Sequence, residues 1–234
     1  MIFKVFKPKG TLKESDTYKT KIELASSIIT ELINFGFKIE LVLADSAECT
    51  AACDSDLKSE SVGSLYGEAS SFIRTLENHK LSWVVAIRSN HGVWLSCESK
   101  VRANKWCEFE RIFSNEKSET RYIREIVFGK RSYRTYWEIT TDPKTMPSNS
   151  TSFVMTNIQT TRSKMKKQLG NLYGLRTWVE YGFRQCKQEL GWTNYRFTNF
   201  AEINKWWEII FSAYWMVSSH SQVCQQLQSI SEFI

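Results

Sequence analysis

Apolar residues near the start of the chain follow a helical period and then a strand-like run. From residue 20 to residue 35 they recur at three- and four-residue spacing, which predicts an amphipathic helix closed by Gly36. The next segment, FKIELVLADS (37–46), ends in an apolar run and predicts a strand that delivers Asp45 at its carboxyl end. An apolar strand that ends in an acid is a common way to put a carboxylate at the edge of a site.

The helix and strand pattern is repeated after an interruption. Residues 47–64 lose all periodicity and become small and polar, so we expect them to be the least ordered internal segment. Residues 68–79 resume a helical period, and SWVVAIRS (82–89) is typical of a buried strand. Together with a short strand expected at 2–6, this alternation predicts a mixed α/β layer.

The middle of the chain predicts an antiparallel sheet, and its end predicts helices. Short β-branched and aromatic runs are separated by turn signals such as Gly129-Lys130 and the segment 142–149. The runs cover residues 107–113, 120–128, 131–141 and 151–157. After residue 168 two helices are expected, at 169–190 and 200–219, joined by the loop GWTNYRFTN.

Composition and charge narrow the class of protein. With 234 residues, 42% hydrophobic and 24% charged, the chain has a globular make-up, which excludes a disordered or collagen-like protein. Residues 118–234 hold 15 basic and 9 acidic groups while residues 1–117 are balanced, so the net charge of +6 lies entirely in the second half. This asymmetry suits a phosphate-rich partner, and a solvated basic surface explains it equally well.

Cysteines, histidines and apolar runs set expectations about the environment. The six cysteines include no CxxC pair and the three histidines are far apart, which disfavours a structural zinc site. The opening residues carry charges inside their apolar stretch, unlike a secretory signal. The apolar run at 206–217 is too short to cross a bilayer and contains Glu208. We expect a reduced, cytoplasmic protein that does not bind membranes.

Four polar residues share one side of the helix expected at 169–190. They are Tyr173, Arg176, Glu180 and Lys187. On a regular helix they fall within about 60° of each other, at the rim of an apolar stripe. That stripe, the expected core contact, comprises Leu172, Leu175, Val179, Phe183, Cys186 and Leu190. A structural reading stays open here, because Arg176 and Glu180 have the i,i+4 spacing of a helix salt bridge.

The spacing Tyr-x2-Arg-x3-Glu-x6-Lys resembles the Y-R-E-K signature of bacterial insertion-sequence transposases of the DDE type, the insertion-sequence-four superfamily. A second match, Val42-Leu43-Ala44-Asp45-Ser46, is similar to the segment around that family's second catalytic aspartate. Further similar segments are 83–94, 136–143, 152–158, 170–191 and 206–218. The resemblance covers most of residues 1–220.

The resemblance implies a ribonuclease-H-like α/β fold with a β-rich insertion between the second Asp and the Glu, followed by C-terminal helices. It implies DNA transposition by phosphoryl transfer that depends on Mg²⁺ or Mn²⁺, with double-stranded transposon ends as the partner. Asp45 and Glu180 would be catalytic metal ligands, with carboxylates within about 8 Å of each other. Tyr173, Arg176 and Lys187 would hold DNA phosphates. A homodimer, or pairing with an intact transposase, is the implied assembly.

Two features differ from the family pattern. Only 44 residues precede Asp45, and the expected helix and strand use most of them. The first strands and the first catalytic Asp are therefore expected to be missing, with Asp16 interpreted as a cap of the following helix. In the family the segment Leu65-Tyr66-Gly67-Glu68 follows the Asp-Ser directly. Here it is displaced by 18 residues, so 47–64 is interpreted as an insertion.

These differences lead to two candidate functions. One is a truncated DDE transposase that lacks the first catalytic Asp. The alternative is a non-catalytic DNA-binding or partner-binding remnant that inhibits an intact transposase. The expected domains are a partial ribonuclease-H-like core at 1–90 with the inserted loop 47–64, a β-rich insertion at 91–165, the catalytic and following helices at 166–220, and a tail at 221–234.

Several other residues are weaker candidates for DNA contact. Trp94, Trp106 and Trp137 lie in the β-rich insertion, where related enzymes stack a flipped base, and ordinary sheet packing explains them better. The arginines of the predicted meander either line DNA or form a solvated sheet face. They are Arg121, Arg124, Arg131 and Arg134.

Overall fold

The computed structural model describes residues 4, 6–12, 14, 16–45, 66–93, 95, 99–113, 117–129 and 132–220. The predictions for the insertion at 47–64, for the tail at 221–234 and for most of the strand at 2–6 fall outside this part of the chain, as do Trp94 and Arg131.

Helices and strands of the described residues follow the predicted order. The helices are α1 (Lys21–Asn34), α2 (Ser70–Asn78), α3 (Arg162–Gly174), α4 (Arg176–Gln188) and α5 (Phe200–Ser219). The strands are β1 (Val42–Ala44), β2 (Trp83–Ile87), β3 (Val101–Ala103), β4 (Cys107–Ile112), β5 (Ser118–Phe128), β6 (Thr135–Thr140) and β7 (Ser152–Thr156).

Helix α1 begins with a capping box. The Thr20 hydroxyl accepts a hydrogen bond from the Glu23 N–H (3.2 Å), and the Glu23 carboxylate accepts one from the Thr20 N–H (2.7 Å). The interpretation of Asp16 as the cap is therefore wrong. A capping oxygen must reach the N–H groups of the first turn, and Asp16 lies too far upstream. Its carboxylate instead accepts from Lys7 Nζ at 2.6 Å.

The described strands form one sheet in the order β1-β2-β7-β6-β5-β3, and β4 pairs with another part of β5. β1 runs parallel to β2, and the other pairings are antiparallel. The predicted meander is confirmed as β4 to β7, whereas no pattern indicated β3. β1 is shorter than the strand predicted at 37–46, because pairing with β2 extends only over Val42–Ala44.

Helices cover both faces of the sheet around β2. Trp83, Val85 and Ile87 pack with residues of α1 and α2 in one core cluster. Val84 and Ala86 point to the other face and pack with residues of α3 in a second cluster. Because both faces are covered, every residue of β2 is buried, as is usual for a strand inside an α/β layer. The predicted mixed α/β architecture is confirmed.

The chain divides into two compact units, residues 2–176 and 177–234. The sheet and its covering helices belong to the first unit. In the second unit, Trp192 lies at the centre of an aromatic cluster, with ring centroids 5.4 Å from Phe183 and 5.0 Å from Phe211. Within that unit α4 and α5 approach each other closely. A Cβ atom added at Gly182 on α4 would lie only 3.0 Å from the hydroxyl of Tyr214 on α5.

The prediction of a single helix over residues 169–190 is wrong. Two helices, α3 and α4, cover most of this range, and Leu175 separates them. The Leu175 N–H lies 3.2 Å from the Asn171 carbonyl and 3.1 Å from that of Leu172. This shared hydrogen bond tightens the last turn of α3. α5, by contrast, has the bounds predicted for it. Among the described helices none has both the length and the apolar character needed to span a membrane.

The apolar stripe predicted along that helix is also wrong as a core contact. Leu175, Val179 and Phe183 are 44%, 59% and 40% exposed, whereas Cys186 is fully buried. A helical phase calculated for one continuous helix does not carry across an interruption. After Leu175, Phe183 packs within the second unit, where its ring stacks on that of Trp192.

Candidate functional site

Asp45 follows β1 directly and is held by two residues that come much later in the chain. The Tyr173 hydroxyl donates to Asp45 Oδ1 at 3.1 Å. Arg176 Nη1 forms an ion pair with Asp45 Oδ2. The Arg176 guanidinium also lies over the Tyr173 ring, 4.7 Å from its centroid. Three of the five predicted site residues therefore come together in the first unit.

Packing on the α3 face of the sheet positions this group. Leu43, two residues before Asp45, packs against the core cluster to which Tyr173 belongs. Tyr173 is only 6% exposed, so its ring is fixed and its hydroxyl is directed to the end of β1. The interruption at Leu175 lies between Tyr173 and Arg176, and both side chains reach the same carboxylate.

The Asp45–Arg176 ion pair is partly exposed. The exposed fractions of the two side chains are 32% and 26%, respectively. Ion pairs with this degree of exposure stabilise a fold by about 1 kcal/mol or less, because water screens both charges. Arg176 can therefore exchange the Asp45 carboxylate for another anion at little cost to the fold.

Glu180 and Lys187, the remaining predicted site residues, lie on α4 in the second unit. Both are exposed, and the seven-residue spacing puts them two helical turns apart on one side of the helix. Lys187 Nζ lies 5.7 Å from the centroid of the Trp192 ring. The expected approach of the Asp45 and Glu180 carboxylates stays a prediction.

Asp45 alone does not make a site for a divalent cation. Hard cations such as Mg²⁺ need several oxygen ligands. In the described part of the chain no three His, Cys, Asp or Glu side chains come together as a ligand group. Both oxygens of Asp45 already accept from Tyr173 and Arg176. In this arrangement Asp45 and its described neighbours therefore do not complete a site for a divalent cation.

Glu68 forms a second polar cluster, at the end of β2, that the sequence reading did not identify. Its carboxylate accepts from the Arg88 N–H at 2.9 Å and lies 2.9 Å from His91 Nδ1. Burial raises the pKa of Glu68, but the hydrogen bonds from Arg88 and His91 outweigh it and hold the pKa below its usual value. The signal that could have revealed this cluster is the Leu-Tyr-Gly-Glu segment itself, since Glu68 is its last residue.

We expect Glu68→Gln to lower the free energy of unfolding by about 1 kcal/mol at neutral pH, since a charge-assisted hydrogen bond is lost from a partly exposed site. A carboxyl whose pKa is lowered by folding stabilises the fold above the unfolded-state pKa, and this stabilisation is lost as the pH falls. The difference between wild type and variant should therefore shrink below about pH 4.3. Urea unfolding across the acid range measures it. Glu108→Gln, at an exposed position on β4, is the control. An equal difference at every pH would contradict the expectation.

The weaker candidates are mostly engaged within the fold. Trp137 is buried in the core and its Nε1 donates to the Thr135 hydroxyl at 2.9 Å, which confirms sheet packing. The Trp106 ring lies 4.3 Å from the Arg124 guanidinium. The three candidate arginines that the structure describes each form an ion pair. The pairs are Arg121–Glu119, Arg124–Glu138 and Arg134–Glu77.

Comparison with known proteins found one matching family and one similar protein. Residues 34–216 match the transposase DDE domain family, a range that includes the five predicted site residues. The chain is similar to a protein of Microchaete diplosiphon described as a probable transposase for insertion sequence element IS701, with 42% identity over 204 residues. The match covers 87% of this chain and 48% of the relative, so the chain spans about half the length of that relative. No solved structure matches it.

Proposed function

The chain belongs to the family of transposases with a DDE domain, and from this membership we propose that it acts on the DNA ends of an insertion sequence. The observation that carries the proposal is the contact of Asp45 with Tyr173 and Arg176. These residues lie 128 and 131 positions after Asp45. They are the Tyr and the Arg of the signature spacing, and they meet the acid that the second matching segment contains.

At the finer level, we propose membership of the insertion-sequence-four superfamily and a ribonuclease-H-like core. The parallel pair β1 and β2, with an acid at the tip of β1, supports this topology. The antiparallel strands β3 to β7, which lie between Asp45 and the helix that carries Glu180, suit a β-rich insertion. The domain division at residues 90, 165 and 220 remains part of the same proposal.

The proposed roles follow from charge and from hydrogen-bonding capacity. Arg176 and Lys187 bind DNA phosphates, and the Tyr173 hydroxyl orients either Asp45 or a phosphate oxygen. Asp45 and Glu180 are proposed ligands of Mg²⁺ or Mn²⁺, which supplies charge neutralisation for phosphoryl transfer when bound. Such a site requires Arg176 to release Asp45, as well as further carboxylate donors. The partly exposed ion pair makes that release inexpensive.

A second function is favoured by the state of Asp45. We propose as the alternative a non-catalytic DNA-binding or partner-binding remnant that inhibits an intact transposase. The observation in its favour is that Asp45 is engaged by Arg176, while the described residues contain no group of three ligand side chains. The two functions differ in whether the DNA is cut.

DNA binding should be weak and strongly salt-dependent, because residues 121–205 hold 15 basic and 6 acidic groups. Each phosphate contact releases counterions, so Arg176→Ala and Lys187→Ala should each reduce the slope of log affinity against log salt by about one unit. Fluorescence anisotropy of a labelled duplex over a range of KCl concentrations measures these slopes.

Matched controls for that experiment are Arg74→Ala on α2 and Lys38→Ala after α1, which remove exposed charges from the balanced half of the chain. Their slopes should equal that of the wild type. Failure of the wild-type chain to bind DNA at any salt concentration would contradict the proposed function. Slopes that the Arg176 and Lys187 changes leave unaltered would contradict the phosphate roles.

A further inference from the structure

A small basic cavity lies beside the Asp45 group in the first unit. Its volume is about 20 Å³. The lining residues that matter here are Arg111, Arg121, Ser152, Tyr173, Gly174 and Arg176. Tyr173 and Arg176 also contact Asp45, so the cavity and the carboxylate share two side chains. Arg111 and Arg121 come from β4 and β5, far in sequence from α3 and α4, which carry Tyr173 and Arg176.

The charges around the cavity are unbalanced. Arg121 Nε lies 2.8 Å from Glu119, and Arg176 pairs with Asp45. Arg111 has no carboxylate within ion-pair distance among the described residues. Its guanidinium lies 4.9 Å from the centroid of the Phe113 ring, and Glu119 is its neighbour across the β4–β5 ladder. Three arginines line the cavity, whereas no carboxylate is among its lining residues in the described part of the chain.

Arg111 is held in an environment that disfavours its charge. Burial lowers the pKa of its guanidinium, and the like charge of Arg121 lowers it further, against smaller opposing effects of Glu119 and Tyr173. An anion in the cavity would relieve both costs. Side chains with perturbed pKa values are concentrated at functional sites.

The position of Arg111 is fixed by close packing of β4 on α3. A Cβ at Gly174 would lie 3.3 Å from Arg111 Nε, and one at Gly170 would lie 2.1 Å from the Phe109 ring. Gly170 and Gly174, one helical turn apart, therefore leave space for Phe109 and Arg111, whose side chains lie on the same face of β4. The Asn171 amide adds a clamp, since it accepts from the Ile112 N–H and donates to the Glu110 carbonyl, both at 3.0 Å.

The size of the cavity limits what can enter. A volume near 20 Å³ holds about one water-sized atom or group, because a water needs about 10–15 Å³ by the same measure. A nucleobase does not fit, whereas one oxygen of a phosphodiester does. Arginine forks and a serine hydroxyl are suitable donors for such an oxygen.

We propose that this cavity is a phosphate subsite for the DNA strand next to Asp45, with Arg111 and Arg121 as its donors from the β-rich region. The inference rests on the proposed function, since it names further DNA contacts of the same site. Contacts to phosphate carry no base information, so the subsite positions a strand of any sequence.

The first test compares wild type with Arg111→Gln for binding to duplexes of two unrelated sequences over a range of KCl concentrations. The variant should lose affinity to the same extent for both duplexes, and its salt slope should fall by about one unit. Arg111→Lys should keep the slope but recover only part of the affinity, because lysine retains the charge without the fork. The exposed control Arg74→Gln should match wild type. An unchanged slope in Arg111→Gln would overturn the subsite.

A second test does not involve DNA. Inorganic phosphate should raise the Tm of the wild-type chain relative to chloride at equal ionic strength. Arg111→Gln should remove this rise while its own Tm in chloride stays equal to or above that of wild type, since a disfavoured charge is gone. A phosphate effect that persists in Arg111→Gln would overturn the subsite. Loss of the effect in a protein whose wild type binds no DNA would support the subsite and contradict the proposed function.

Discussion

The purified 234-residue chain is expected to bind double-stranded DNA and to leave it uncut when Mg²⁺ is added. Cutting by metal-dependent phosphoryl transfer needs several carboxylates around the cations. The described residues contain no such group, and Asp45 is paired with Arg176. Loss of one member of a cooperating catalytic set lowers rates by about 10³-fold or more, so nicking should not exceed the rate without protein. Gel analysis of supercoiled plasmid and of transposon-end duplexes, with Mg²⁺ and with Mn²⁺, measures it.

We also expect that mixing the chain with a fragment that contains the expected first strands and their aspartate produces part of the cutting activity. The restored activity should disappear in Asp45→Asn and in Glu180→Gln, which keep the size of each side chain and remove its charge. Glu189→Gln, at an exposed position just beyond α4, should retain it. Mg²⁺-dependent nicking by the chain alone, abolished by Glu180→Gln, would contradict the interpretation of an incomplete catalytic site.

The largest effect on stability is expected for Gly67→Ala, which should lower the free energy of unfolding by about 3 kcal/mol. A Cβ at Gly67 would lie 2.3 Å from the Ala86 carbonyl oxygen and 2.8 Å from Ile87 Cγ2. Ala86 belongs to the buried strand β2, which has β1 on one side and β7 on the other. The backbone there cannot yield without loss of ladder hydrogen bonds, so the added methyl group must displace the turn at residues 66–68.

Urea unfolding monitored by far-UV circular dichroism measures this change, and Gly92→Ala is the matched control. A Cβ at Gly92 would meet no atom within 4 Å, so the same chemical change should alter stability little. Equal stability of the two variants would show that the approach of Gly67 to β2 is not tight in solution.

Local periodicity was sufficient for most of the elements. α1, α2 and α5 lie where the three- and four-residue spacing predicted them, and β2 lies in the predicted apolar run. The meander strands also lie in their β-branched segments. The helices and the meander strands were predictable because each buries one face, and consecutive residues show the period of that face. β2 was predictable because its run is apolar throughout.

The ends and interruptions of elements were less predictable. Thr20 rather than Asp16 caps α1, and β1 extends only as far as its pairing with β2. The break at Leu175 directly follows Gly174, but a single glycine inside a long helical period is a weak signal and did not outweigh that period. Each of these features depends on which group forms a hydrogen bond with a backbone N–H or C=O. That group is either a nearby side chain, which must be able to reach it, or belongs to a residue elsewhere in the chain.

The sequence by itself determined the candidate residues of the site, because their types and spacing resemble a family signature. Only the tertiary structure decided which of them meet. Tyr173 and Arg176 reach Asp45 across more than a hundred residues, and Arg111 enters the cavity from a strand that the signature does not include. The physical reason is that contacts between distant residues arise from the packing of α3 on the sheet and from two glycines that allow close approach, and no local period encodes either.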